Sequence, residues 1–381
     1  MRKPKGLPKN PADAARANQL LVQLRQLATA KDWKAAAPLS MALVNLAPEL
    51  ADAHDLMGEV AQATGAIDIA ETCFARAVSL GPITADRLLR WAKALALSSN
   101  PEKAEATLQR ALVFRPGDPT ILCELGDVQL ALGKAPLALK SFEAALRTSP
   151  DHAYARHMAT ALAGSGHGND NYVAALFDGY ADYFDEHLTG KLHYRVPEAL
   201  VERLGRHRPV FGNVLDVGCG TGLVGAALGQ KAAAIDGIDL APKMVEKARA
   251  RGIYRHLTVG EATTVISTDP VLRGPYDLVI AADVFIYVGA IESLLAAMVN
   301  ALASDGLIAF SVETSRGQDV EIRPSGRFAH SDAYIAQMAA LHGLVILERS
   351  EHDIRSERDR PISGALYILA ADRIAGSSSP Y

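Results

Sequence analysis

The run Val214-Leu215-Asp216-Val217-Gly218-Cys219-Gly220-Thr221-Gly222 has the composition of a site that touches its ligand with main chain. An apolar stretch ends near Asp216, and Gly218, Gly220 and Gly222 then permit a tight turn that brings backbone amides against a bound molecule. A second apolar stretch, Ala234-Ile235-Asp236-Gly237-Ile238-Asp239, ends in an acid twenty-three positions after Asp216. At that separation a doubly wound fold places a carboxylate on a ribose diol, so the pair predicts a nucleoside-bearing cofactor. Gly220-Thr221-Gly222-Leu223-Val224-Gly225 also satisfies the dinucleotide spacing G-x-G-x-x-G, which keeps NAD and hydride transfer as a competing reading.

The string LDVGCGTGLVG resembles motif I of the class I S-adenosylmethionine-dependent methyltransferases, and the acid two residues before the first glycine favours that cofactor over NAD. The resemblance runs from about Tyr172 to Ala371 and extends to methyltransferases of quinone and biotin biosynthesis. It implies that Asp216, Gly218, Cys219, Gly220, Gly222, Asp239 and Leu240 border S-adenosylmethionine. Tyr276-Asp277-Leu278-Val279-Ile280-Ala281-Ala282-Asp283 resembles the family's fourth strand, which sets Asp283 at the topological switch point opposite the glycine loop. Val259-Gly260-Glu261-Ala262 falls where the family shows an acid facing the adenine amino group, implying Glu261 and Ala262. The segments Tyr180–Leu188 and Leu192–Arg195 resemble the family's helical lid, in which Tyr183 and Tyr194 would hydrogen-bond the cofactor carboxylate.

Methyl transfer from a sulfonium is an in-line displacement, for which the protein supplies alignment and exclusion of water. A general base is needed only where the acceptor is protonated at working pH. The candidates are His330, just before a helix, Tyr287 after the fourth strand and Glu313 at the end of the fifth, all three expected to border the crevice, together with His187. A helix-capping or packing role stands beside each as the alternative. After the fourth strand the chain reads Ala282-Asp283-Val284-Phe285 in place of Asn/Asp-Pro-Pro-Tyr, which disfavours planar amide and exocyclic amine acceptors. No Lys-Asp-Lys-Glu arrangement for ribose methylation is recognisable.

The first half of the chain is periodic. Pro48, Pro82, Pro116 and Pro150 recur every 34 residues, the tetratricopeptide period. Registering the prolines registers small residues at Ala36, Ala70, Ala104 and Ala138, gap-filling residues at Ser40, Phe74, Leu108 and Phe142, and Gly58, Ala92 and Gly126 on the first helix of successive pairs. Arg25, Glu59, Lys93 and Asp127 form a row of alternating charge, for which ion pairing between repeats is the simplest account and recognition of a mixed-charge peptide the alternative.

These signals predict an α-helical tetratricopeptide solenoid followed by an α/β Rossmann-like methyltransferase domain. Residues 1–16 read as a basic arm, 17–163 as four repeats plus a capping helix, 164–171 as a flexible linker, 172–375 as the catalytic domain with its lid, and 376–381 as a disordered tail. Strands are expected near 213–217, 234–239, 256–259, 276–283, 306–312, 345–347 and 365–369. The resemblance implies a seven-stranded, mostly parallel sheet with its last strand antiparallel.

Charge and composition restrict the partners. Lys plus Arg number 39 against 43 Asp plus Glu, a net charge of −4 that disfavours nucleic acid. No apolar run is long enough for a membrane span, and the three cysteines, Cys73, Cys123 and Cys219, form no ligand cluster, so a cytoplasmic protein without structural metal is expected. The repeats predict a protein or peptide partner. The leading expectation is a methyltransferase whose repeats recruit or orient an acceptor. The alternative is an interaction protein whose cofactor domain is idle.

Overall fold

The computed structural model describes residues 6–163, 170–182, 184–185, 194–357 and 360–372. The chain forms two compact units, Met1–Ala155 and Arg156–Tyr381.

The first unit is four helix pairs: α1 (Pro11–Thr29) with α2 (Trp33–Leu46), α3 (Ala51–Ala63) with α4 (Ile67–Leu80), α5 (Ala85–Leu97) with α6 (Pro101–Phe114), and α7 (Pro119–Ala131) with α8 (Ala135–Thr148). Helix α1 starts within the expected basic arm, because Asn10 caps the Ala12 amide and Pro11 presets the first helical φ. Within the pairs, volume is conserved by exchange. A Cβ on Gly58 would meet Phe74 at 2.6 Å, and one on Gly126 would meet Phe142 at 2.6 Å. The smaller Leu108 is matched by Ala92 in the same cluster, and in the first repeat Leu24 accompanies Ser40. The alternating charge row does not pair with itself. Arg25 reaches Asp52 at 2.8 Å, Glu59 approaches Arg90 at 3.7 Å, and Lys93 meets Glu124 at 2.6 Å, so each pairs with a residue of the following repeat that lies outside the row. Asp127 accepts from the Tyr154 hydroxyl at 2.5 Å.

Helix α9 (Ala153–Leu162) crosses the division between the units, which therefore falls before the expected linker. Most of that linker lies outside the described residues, and its last two, Asp170 and Asn171, open α10 (Asp170–Tyr180). Helix α11 (Val196–His207) precedes the sheet. The expected tail, 376–381, lies outside the described residues.

Strands β1 (Phe211–Val217), β2 (Ala232–Asp239), β3 (His256–Val259), β4 (Tyr276–Ala281) and β5 (Leu302–Thr314) run parallel in the order β3-β2-β1-β4-β5. Between them lie α12 (Leu223–Leu228), α13 (Pro242–Ala250), α14 (Ala262–Thr268) and α15 (Glu292–Ala301). Alternate strand residues enter opposite cores: Leu215, Val217, Val279 and Ala281 on one face, Val214, Leu278 and Ile280 on the other. Helices on both faces bury these strands completely, which is why they read as continuous apolar runs.

The far edge differs from expectation. After β5 come a short hairpin, β6 (Val320–Ile322) and β7 (Phe328–His330), then α16 (Asp332–Leu341), β8 (Leu344–Glu357) and β9 (Arg360–Ala371). The three-residue hairpin strands are too short to show a period, yet β7 pairs with the end of β5 through Glu313 and Thr314. Strand β9 is antiparallel to β5, as expected, and β8 pairs with β9 at the edge. Both are longer than their apolar cores, since a pair at a sheet edge keeps its hydrogen bonds through polar residues such as Glu351 and Asp353. No helix among the described residues is long and apolar enough to cross a membrane.

Candidate cofactor and acceptor site

A cavity of about 420 Å³ opens at the carboxyl ends of β1, β2 and β4. This is the crevice where doubly wound folds bind ligands, and its volume lies in the range of roughly 300–1,000 Å³ usual for small-molecule sites. At one end stands the glycine loop, with φ of +67° at Gly218, +54° at Gly220 and +93° at Gly222. A Cβ on Gly218 would strike Val284 at 2.4 Å, whereas around Gly220 there is only open space, the cavity itself. Asp239 holds the loop to the second strand: its Oδ2 accepts from the Gly220 amide at 2.8 Å and its Oδ1 from the Ala241 amide at 2.8 Å. Burial raises its carboxyl above the ordinary range against the pull of those amides.

Asp216 lies beneath the loop. Fully buried, it accepts from the Tyr254 hydroxyl at 2.6 Å, and burial pushes its carboxyl up to about 7. Among the described residues its Oδ1 has no hydrogen-bond partner.

Helix α10 and the residues after it cover the cavity with Tyr172, Phe177, Tyr180 and Phe184. Three acids fasten this cover to α13 and the loop. Asp178 accepts from the Lys243 amide at 2.9 Å, Asp182 meets Lys247 at 3.0 Å, and Asp185 accepts from both Thr221 and Arg251. Arg251 Nε also donates to the Thr221 carbonyl at 2.5 Å. Acids at 178, 182 and 185 thus meet positions 243, 247 and 251 in turn along α13 and its end.

The opposite end is built from ionised side chains. Asp283 has a φ of +61°, a conformation costing a non-glycine residue roughly 1–3 kcal/mol. Its amide donates to Ser311 Oγ at 2.8 Å and its carboxylate receives Arg355 at 3.3 Å. Arg355, buried on β8, also binds Glu313, which stands 3.6 Å from Arg323. Beside this group Tyr287 accepts from Arg327 Nε at 3.4 Å and packs edge-on to Phe177. Burial raises the Tyr287 phenol and the nearby Arg327 only partly offsets it, so the hydroxyl stays protonated near neutrality.

Residues 215–308, which hold the loop and β4, match the family described as methyltransferase domain. This segment is similar to methyltransferase domains. The family uses S-adenosylmethionine. The biotin biosynthesis bifunctional protein BioCD of Bordetella avium is 37% identical over 84 residues, 21% of this chain and 18% of that protein. A malonyl-[acyl-carrier protein] O-methyltransferase of Geobacter sulfurreducens is 32% identical over 143 residues, 36% of this chain and 51% of its own length. The chain thus spans about half or less of the curated relatives it matches. Magnesium protoporphyrin IX methyltransferase of Synechocystis, solved with bound S-adenosylhomocysteine, is 18% identical, covers 53% of this chain and 99% of its own, and has a TM-score of 0.42.

The cavity brings together Gly218, Cys219, Gly220, Asp239, Leu240, Glu261, Ala262, Asp283, Tyr194 and Tyr287. Four of the expected residues stand off the cavity lining. Asp216 and Gly222 do not line the cavity: the first supports the loop from below, and the second turns the chain into α12. His330, also expected at the crevice, is fully buried away from it, with Nε2 donating to the Gly289 carbonyl at 2.9 Å. Burial lowers its pKa and keeps it neutral. Glu313 is sealed behind Arg355. Glu261 reaches the wall, but its carboxylate caps α14, accepting from Thr263 and Thr264 amides at 2.8 and 2.7 Å. Burial alone would raise its pKa, and these amides outweigh it and lower it. Tyr183 and His187 lie outside the described residues. The reading missed Arg327 and Arg355, because the hairpin is short and β8 continues as polar sequence past Leu347.

Proposed function

We propose that this protein transfers a methyl group from S-adenosylmethionine to an oxygen acceptor that arrives ionised, a carboxylate. The observation that carries the reading is the glycine loop fastened to Asp239 at one end of a single cavity, with Arg327 and Arg355 bordering the other. The residues fit the cofactor: Gly220 faces the space a side chain would fill, and Asp239 stands where a ribose diol would take a carboxylate partner. When bound, the sulfonium supplies an electrophilic methyl group.

The chain's part is placement. Backbone at Gly218–Gly220, with Asp239 and Leu240, would hold the nucleoside. The aromatic cover excludes water, and Tyr287, which keeps its proton, would hydrogen-bond the acceptor oxygen. Such alignment accounts for roughly 7–11 kcal/mol of barrier lowering in well-oriented reactions. A carboxylate requires no general base, which suits a site where His330 and Glu313 are sealed away from the cavity. Four of the matched relatives are named O-methyltransferases, which supports an oxygen acceptor. The repeats, in this reading, engage the protein or peptide that carries or delivers the acceptor. Incubation with methyl-labelled cofactor and cell extract, followed by mild alkali, tests it: label in a base-labile ester is expected, and label in base-stable amine products would reject the carboxylate.

A further inference from the structure

His157, on α9, is fully buried, and its surroundings are not those of a packing residue. Its Nε2 lies 2.7 Å from the carbonyl of Gly326 and donates to it. Gly326 is the turn of the β6–β7 hairpin, at a φ of +76°, and its neighbours Ser325 and Arg327 border the acceptor end of the cavity. The same imidazole lies against Tyr172 of the cover, with ring centroids 4.8 Å apart, and edge-on to Phe328 of β7 at 6.3 Å. Tyr172 also borders the cavity. One side chain therefore holds two walls, the hairpin by a hydrogen bond and the cover by ring contact.

We propose that His157 is a positioning residue that sets two walls of the site from one side chain, the acceptor-side hairpin through its hydrogen bond and the aromatic cover through its ring. The assignment of an acceptor side rests on the methyltransferase reading above. The two contacts use different chemistry and can be removed separately. His157→Phe keeps a ring against Tyr172 and loses the donor to Gly326. His157→Gln places an amide donor at the reach of Nε2 and loses the ring.

Hydrogen exchange of the full chain, read by mass spectrometry on peptides spanning 315–331 and 170–180, tests the proposal. His157→Phe is expected to speed exchange in the hairpin about fivefold or more, the effect of a buried carbonyl losing one hydrogen bond, and to leave the cover near the parent rate. His157→Gln should do the reverse, and it should weaken S-adenosylhomocysteine binding about threefold or more, while His157→Phe stays within about twofold. Equal loosening of both segments by both variants, spread of the change into β1 and β4, or no change in either segment would overturn it. The exchange pattern needs no ligand, so a parent protein that binds no S-adenosylhomocysteine would defeat the methyltransferase reading while the two-wall linkage is judged separately.

Discussion

At the glycine-loop end of the cavity the ligand-facing surface is largely main chain, while at the hairpin end it is ionised side chain held by buried partners. The first is assembled from two adjacent strand ends, with Asp239 fastening the Gly220 amide. The second draws on β4, β5, β8 and the β6–β7 hairpin, and joins Asp283, Glu313 and Arg355 across long stretches of chain. A main-chain surface is fixed by local turns and tolerates no added side chain. A side-chain surface depends on every partner staying in place, because each buried charge is stable only while it is paired.

This contrast sets the order of expected effects. Arg355→Met should be the most damaging to the fold, since it removes the guanidinium that Glu313 and Asp283 share and leaves Glu313 with Arg323 at 3.6 Å. A loss of about 3–5 kcal/mol in urea unfolding is expected, and a loss under about 1 kcal/mol would mean that the hairpin end does not depend on its ion pairs.

Below the glycine loop the dependence is on pH. Asp216 titrates at about 7 in the folded protein, above its ordinary value, so its contribution to stability is complete in acid and is lost as pH rises toward 7. Asp216→Asn keeps an acceptor for Tyr254 and should remove that decline, which amounts to at most about 1.4 kcal/mol per pH unit. Parallel stability profiles of parent and variant between pH 5 and 8 would show that the carboxyl is not perturbed.

Asp239→Ala acts on cofactor binding instead of on the fold. Removing a charged acceptor should cost about 1.5–3 kcal/mol, or roughly tenfold or more in calorimetric affinity for S-adenosylhomocysteine. Unchanged affinity in a folded variant would detach Asp239 from the ribose. Tyr287→Phe, at the other end, should leave that affinity within about twofold while slowing methyl transfer. Equal losses in both would erase the distinction between the two ends.

The two ends also differ in how far the sequence reveals them. Gly218, Gly220 and Asp239 announce their conformations locally, because only glycine suits the loop's positive φ and because strand ends are marked by apolar runs. The repeats were equally legible, since exchanges such as Gly58 with Phe74 recur at a fixed period. The hairpin end was not. Arg355 lies where polar sequence conceals an edge strand, and Arg327 sits on a hairpin of three-residue strands whose place is set by pairing with β5. His330 was read as a cavity residue from its position between a strand and a helix, and that spacing carries no information about which way the imidazole points.

The central claim, that the glycine loop and Asp239 form an S-adenosylmethionine site, is tested most directly by isothermal titration of the full chain with S-adenosylhomocysteine, with NAD and the Gly220→Val variant as controls. The account predicts one site per chain for S-adenosylhomocysteine, no heat with NAD, and no binding by Gly220→Val, whose added side chain would occupy the open space beside the loop at a strained φ of +54°. Binding of NAD in place of S-adenosylhomocysteine, or undiminished binding by a folded Gly220→Val protein, would contradict it.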